Sequence, residues 1–108
     1  LGWYHRKHMA LEQALFESQE RFEHFDQFRN WLKVGAGYCD WIPGPKGAVM
    51  PVPRSISYAT LEQDEMEKVH ANMLVFLLSE HAQKVLWRHL APAARAEMMQ
   101  GVIDGFEQ

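Results

Sequence analysis

The residues with the widest chemical range in this chain are His5, His8, His70, His81, His89 and Cys39. His5-x-x-His8 is one pair, with no CxxC or HExxH spacing to complete a tetrahedral zinc site. A Cys-His nucleophile built on Cys39 needs an adjacent base, and no neighbour in sequence supplies one. There is no Ser-His-Asp order, no paired-carboxylate signature and no glycine-rich phosphate loop. Asp64, Glu65 and Glu67 project from different sides of one helical turn, unlike the clustered acids of a metal-dependent nuclease. His8 and His70 fall on or beside apolar helix faces, where a histidine is ordinarily a hydrogen-bonded packing residue. The expectation is a protein without catalysis, metal or cofactor.

The basic residues stand out by position. Arg6 and Lys7 lie in the cluster His5-Arg6-Lys7-His8, Arg29 and Lys33 flank Trp31, and Arg54 lies between Pro53 and Ser55. Tyr38 and Trp41 are close by in the chain. Cations beside exposed aromatic rings suit a single-stranded nucleic acid, giving charge for phosphates and π-faces for bases. On this reading Arg6, Lys7, Arg29, Lys33 and Arg54 contact phosphates while Trp41 or Tyr38 stacks on a base. The formal charge of -3 supplies no general pull toward polyanions, so such a site must be a local patch. The opposing reading makes Trp31 and Trp41 core residues and leaves the cations solvated. An acidic surface would then dock on a protein.

These residues need elements to position them. At 108 residues and 47% hydrophobic, the chain fits one domain with a modest core. One cysteine precludes an internal disulfide, and no apolar run is long enough to span a bilayer. The chain begins at Leu1 rather than Met, and it reads as the core of a longer protein. Gly2 to about Ser18 has a helical apolar face of Tyr4, His8, Leu11 and Leu15. A break is expected near Glu23 to Asp26, then a second helix carrying Phe25, Phe28 and Leu32 and ended by Gly35 and Gly37. Tyr38 to Ile42 and Val49 to Tyr58 read as two strands joined by the loop Pro43-Gly44-Pro45-Lys46-Gly47. Pro51 and Pro53 cannot donate to a ladder, so their side is an edge.

The stretch Ser57 to Leu78 is expected to be the core helix, opened by a Thr60–Gln63 capping box. Its face is Met66, Val69, Met73, Phe76 and Leu77, widening into an apolar run, Met73 to Leu78, covered on most sides. Ser79 to Gln83 either continues that helix or recaps a new one. Val85, Leu86 and Leu90 follow as apolar anchors. Pro92 opens a last helix with the stripe Met99, Val102, Ile103 and Phe106, which packs on the body or on a second subunit. The fold class is α+β: four to five helices with one hairpin between the second helix and the long core helix.

The succession Tyr4-His5-Arg6-Lys7-His8-Met9-Ala10-Leu11, Phe25-Asp26-Gln27-Phe28-Arg29-Asn30-Trp31-Leu32, Gly35-Ala36-Gly37-Tyr38 and Pro53-Arg54-Ser55-Ile56-Ser57-Tyr58-Ala59 resembles a family of uncharacterised phage and prophage proteins. The resemblance runs to about Leu78. More distantly, the order of elements is similar to the NinB/Orf recombination proteins of lambdoid phages. That likeness implies a homodimer in the bacterial cytoplasm that binds single-stranded DNA and assists recombinase loading onto DNA coated with single-strand-binding protein. Arg6 and Lys7 match that family's Arg-Lys pair, and Arg54, Ser55 and Ser57 its polar strand end. The alternative expectation is a small acidic phage protein that binds and inhibits a host complex, such as a defence or replication factor.

Overall fold

The computed structural model describes residues 2–55 and 60–106. In chain order these form α1 (Trp3–Ser18), α2 (Phe25–Gly35), β1 (Cys39–Pro43), β2 (Val49–Pro53), α3 (Gln63–Leu77), α4 (Glu80–Leu86) and α5 (Pro92–Asp104). The molecule is α+β and mostly helical, with its hairpin between α2 and α3. The core is made where α1, α2 and α3 meet, from Leu11, Leu15, Phe28, Leu32, Met66, Met73 and Leu77. Leu86, Trp87, Met99 and Ile103 close it from the C-terminal side.

The break after α1 comes earlier than the Glu23–Asp26 expectation, at Gln19. Its side-chain oxygen accepts from the N–H groups of Arg21 and Phe22, while its amide donates to the carbonyls of Phe16 and Phe22. One glutamine thus satisfies backbone groups that an interrupted helix leaves open. Glutamine is not an ordinary turn residue, so composition gave no signal there. Past the turn, Phe16, Phe22, Phe25 and Phe28 stack edge-on or tilted, which sets α2 against α1.

α2 ends in a Schellman motif. Tyr38 N–H donates to the Lys33 carbonyl and Gly37 N–H to the Val34 carbonyl, with Gly37 at φ 78°. Gly35 does something different: a Cβ there would overlap the Phe76 ring, so α2 and α3 touch through a missing side chain.

Two expectations for α3 need correction. The helix starts at Gln63 with Glu62 as N-cap and no side-chain cap bond, so the Thr60–Gln63 capping box does not form. Nor is the Met73–Leu78 run covered on most sides: Val75 is 72% and Leu78 54% exposed. The face of Met66, Val69, Met73 and Leu77 is buried as its spacing requires. Of the two alternatives after Leu78, recapping is the one realised. Ser79 Oγ accepts from Ala82 N–H and opens α4. α5 begins with Pro92 in its first turn and turns Met99 and Ile103 into the core of the same chain. Ile56, Ser57, Tyr58 and Ala59, which open the expected core stretch and extend the strand alternation, lie outside the described residues.

Candidate binding surface

The hairpin is antiparallel, with Cys39 opposite Pro53, Trp41 opposite Pro51 and Pro43 opposite Val49. Arg54 N–H donates to the Tyr38 carbonyl, which fixes the alternation of the ladder. Even-numbered β1 residues exchange bonds with β2, and odd-numbered ones point their N–H and C=O groups away. Pro51 and Pro53 therefore occupy outward positions on β2, where a missing N–H costs the hairpin nothing. Little covers the hairpin. Trp41 is 63% and Val49 64% exposed, and Ile42, Met50 and Val52 are exposed too, while Cys39 is buried where β1 meets the body. Alternation places Trp41 and Val49 on one face and Ile42, Met50 and Val52 on the other. The second face also carries Asp40.

The cations singled out from sequence are dispersed in their engagements. Arg6 is exposed on α1. Lys7 Nζ sits 4.3 Å above the Trp3 ring. Arg29 points inward, its Nε 3.0 Å and its terminal nitrogen 3.4 Å from the two oxygens of Glu12. Lys33 is buried, and its Nζ donates to the Arg54 carbonyl at 2.8 Å, tying the end of α2 to the end of β2. Burial lowers the Lys33 pKa, and the nearby Arg29 charge lowers it further against the opposing pull of Glu12 and Asp26. Arg54 lies 5.3 Å over the Tyr38 ring and 3.6 Å from Asp40 in an exposed pair. Tyr38 is buried, whereas the Trp41 ring stands in solvent. Trp31, which the opposing reading places in the core, is half-buried against Phe22 and Phe76.

A second cluster is polar and interior. His8 Nδ1 lies 3.1 Å from His70 Nδ1, joining α1 to α3, and both rings are buried. His8 Nε2 is 2.9 Å from a Glu12 oxygen. If His70 donates at Nδ1, His8 accepts there and carries its proton at Nε2, facing the carboxylate. Burial alone would raise the Glu12 pKa. The hydrogen bonds and charges of His8 and Arg29 outweigh it and hold the carboxyl below its usual range. His5 Nε2 meets the Leu61 carbonyl at 2.9 Å. Glu12 is fully buried, as is His8. They form a structural network, as a histidine on a core face suggests.

Two of these residues escaped the sequence reading. Glu12 follows Leu11 on the core face, and its only sequence signal is the four-residue step from His8. Trp87 is buried to 1%, and its indole N–H donates to the Ser18 carbonyl at 2.9 Å. Among the described residues no group of three or more His, Cys, Asp or Glu could hold a metal, and no helix is long and apolar enough to cross a membrane. A family model described as "Protein of unknown function (DUF1367)" matches residues 12–97. Neither a curated protein nor a solved structure matches the chain.

Proposed function

The chain belongs to the DUF1367 family, and from that premise we propose that it is a non-catalytic binding module whose hairpin docks on a partner protein. The observation that carries this reading is the group of exposed apolar side chains on the hairpin, Trp41, Ile42, Val49, Met50 and Val52. A small domain that leaves such a surface open ordinarily covers it with something. The cations argue the same way. Arg29 is committed to Glu12, Lys33 to a backbone carbonyl and Arg54 in part to Asp40, so little concentrated positive charge is left for a phosphate backbone. The partner fitting the alternative expectation is a host complex that a phage-encoded protein blocks. Affinity capture from bacterial lysate with the wild-type chain and with Trp41→Ser/Val49→Ser tests it. One protein retained by the first and lost with the second is expected, and equal retention by both would sink the reading.

One observation favours the second reading, a phage accessory protein that binds single-stranded DNA in recombination. Trp41 presents an exposed ring on the same hairpin as Arg54 and Lys46, a pairing that can stack a base and neutralise a phosphate. Fluorescence anisotropy with a short oligonucleotide at low salt separates the two. This reading requires binding that falls steeply with salt and is lost in the Arg6→Ala/Lys7→Ala/Arg54→Ala triple variant.

A further inference from the structure

We propose that two adjoining clefts along α4 hold an acidic peptide segment of a partner protein. The first, about 360 Å³, lies between α4 and the start of α5 and is lined by Glu80, His81, Gln83, Lys84 and Arg95. The second, about 200 Å³, lies where the turn after α1 meets the end of α4, and Glu20, Arg21, Arg88 and His89 line it. A bond from Glu20 N–H to the Leu86 carbonyl holds that turn in place and brings Arg21 to the same cleft as Arg88. One stripe of α4, made of His81, Lys84 and Val85, runs from the first cleft into the second.

The occupant follows from the charges left open. The chain carries fourteen Asp and Glu against eleven Lys and Arg, so carboxylates are in excess. Among the described residues, however, none of Arg21, Lys84, Arg88 and Arg95 stands in an ion pair. From His81 to Ala96 the sequence contains no acid at all. Arg95 is already set in position: its Nε donates to the Trp87 carbonyl at 2.9 Å and its Nη2 to the Arg88 carbonyl at 3.0 Å. A guanidinium has more N–H groups than those two bonds use, and one held in advance loses little freedom on binding. Such a lining calls for carboxylates. A nucleic acid strand fits it less well. No Trp, Tyr or Phe lines either cleft to stack a base, and Glu20 and Glu80 repel a run of phosphates. Toward a peptide the same two carboxylates are acceptors for main-chain N–H groups.

Fluorescence anisotropy of the purified chain with a labelled decapeptide of glutamate, at low salt, should show binding that weakens as salt is added. Lys84→Glu and Arg88→Glu should each weaken it at least fivefold with the helical circular dichroism unchanged, and Lys84→Arg should retain it. Lys68→Glu makes the same change in net charge at an exposed position on α3 and should stay within twofold of the wild type. No binding of the glutamate peptide, equal binding of an uncharged glycine-serine decapeptide, or equal losses in Lys84→Glu and Lys68→Glu would each overturn the proposal. Tighter binding of a single- or double-stranded oligonucleotide of the same charge would overturn it as well. The probe has no apolar side chain and the hairpin is left untouched, so failure here and failure of the lysate capture are told apart.

Discussion

Glu12 has its carboxylate 2.9 Å from His8 and 3.0 Å from Arg29, with no side-chain surface in contact with water. Glu12→Gln keeps the shape and removes the charge, so Arg29 loses an ionic partner and His8 a stabilising neighbour. We expect a loss of about 1–3 kcal/mol, measured by urea unfolding at pH 7. The pH dependence has a definite sign. The folded pKa of Glu12 is depressed, so its contribution is complete above the ordinary glutamate range and disappears as pH falls through the lowered folded value. Wild-type stability should therefore decline through this acid range more steeply than that of Glu12→Gln. Parallel acid limbs would show that the pair does not act this way. Trp41 makes the opposite case. It is exposed, so Trp41→Ser should leave the unfolding free energy within about 0.5 kcal/mol while abolishing partner binding.

Among the elements, the end of α2 concentrates the fold's tightest constraints. Gly35 lets Phe76 approach the helix backbone, and Gly37 takes the left-handed turn that leads into β1. Gly35→Ala should cost about 1–3 kcal/mol through overpacking. Gly37→Ala should cost about 1 kcal/mol, because a Cβ is strained at positive φ although the space is open. Gly101, inside α5, meets nothing within 4 Å of an added Cβ. Gly101→Ala should therefore stabilise by about 0.5–1 kcal/mol through helix propensity. Thermal unfolding of the three variants checks the order, and a destabilised Gly101→Ala would contradict the account of α5. The same glycines look alike in the sequence. Gly35 and Gly37 both read as helix terminators, and only the packing of α3 separates their roles.

At the scale of the whole molecule, the chain alone determined the succession of elements. Apolar residues at three- and four-residue steps, the proline that opens α5 and the Pro-Gly loop are local signals, and they gave the helices and the hairpin nearly in place. The buried faces of α1, α3 and α5 were legible for the same reason. Local pattern could not say which charged groups meet. Glu12 and Arg29 are 17 residues apart, and His8 and His70 are 62 apart; only the docking of α1 with α2 and α3 brings them together. It also could not say that the hairpin would stand clear of the core. Period-two alternation marks a strand's faces, but whether a face is covered depends on what the rest of the chain packs against it. Here the helices fill their core with one another, so Trp41 and Val49 are left in water. Burial and pairing are sums over distant neighbours, and a sequence window contains none of them.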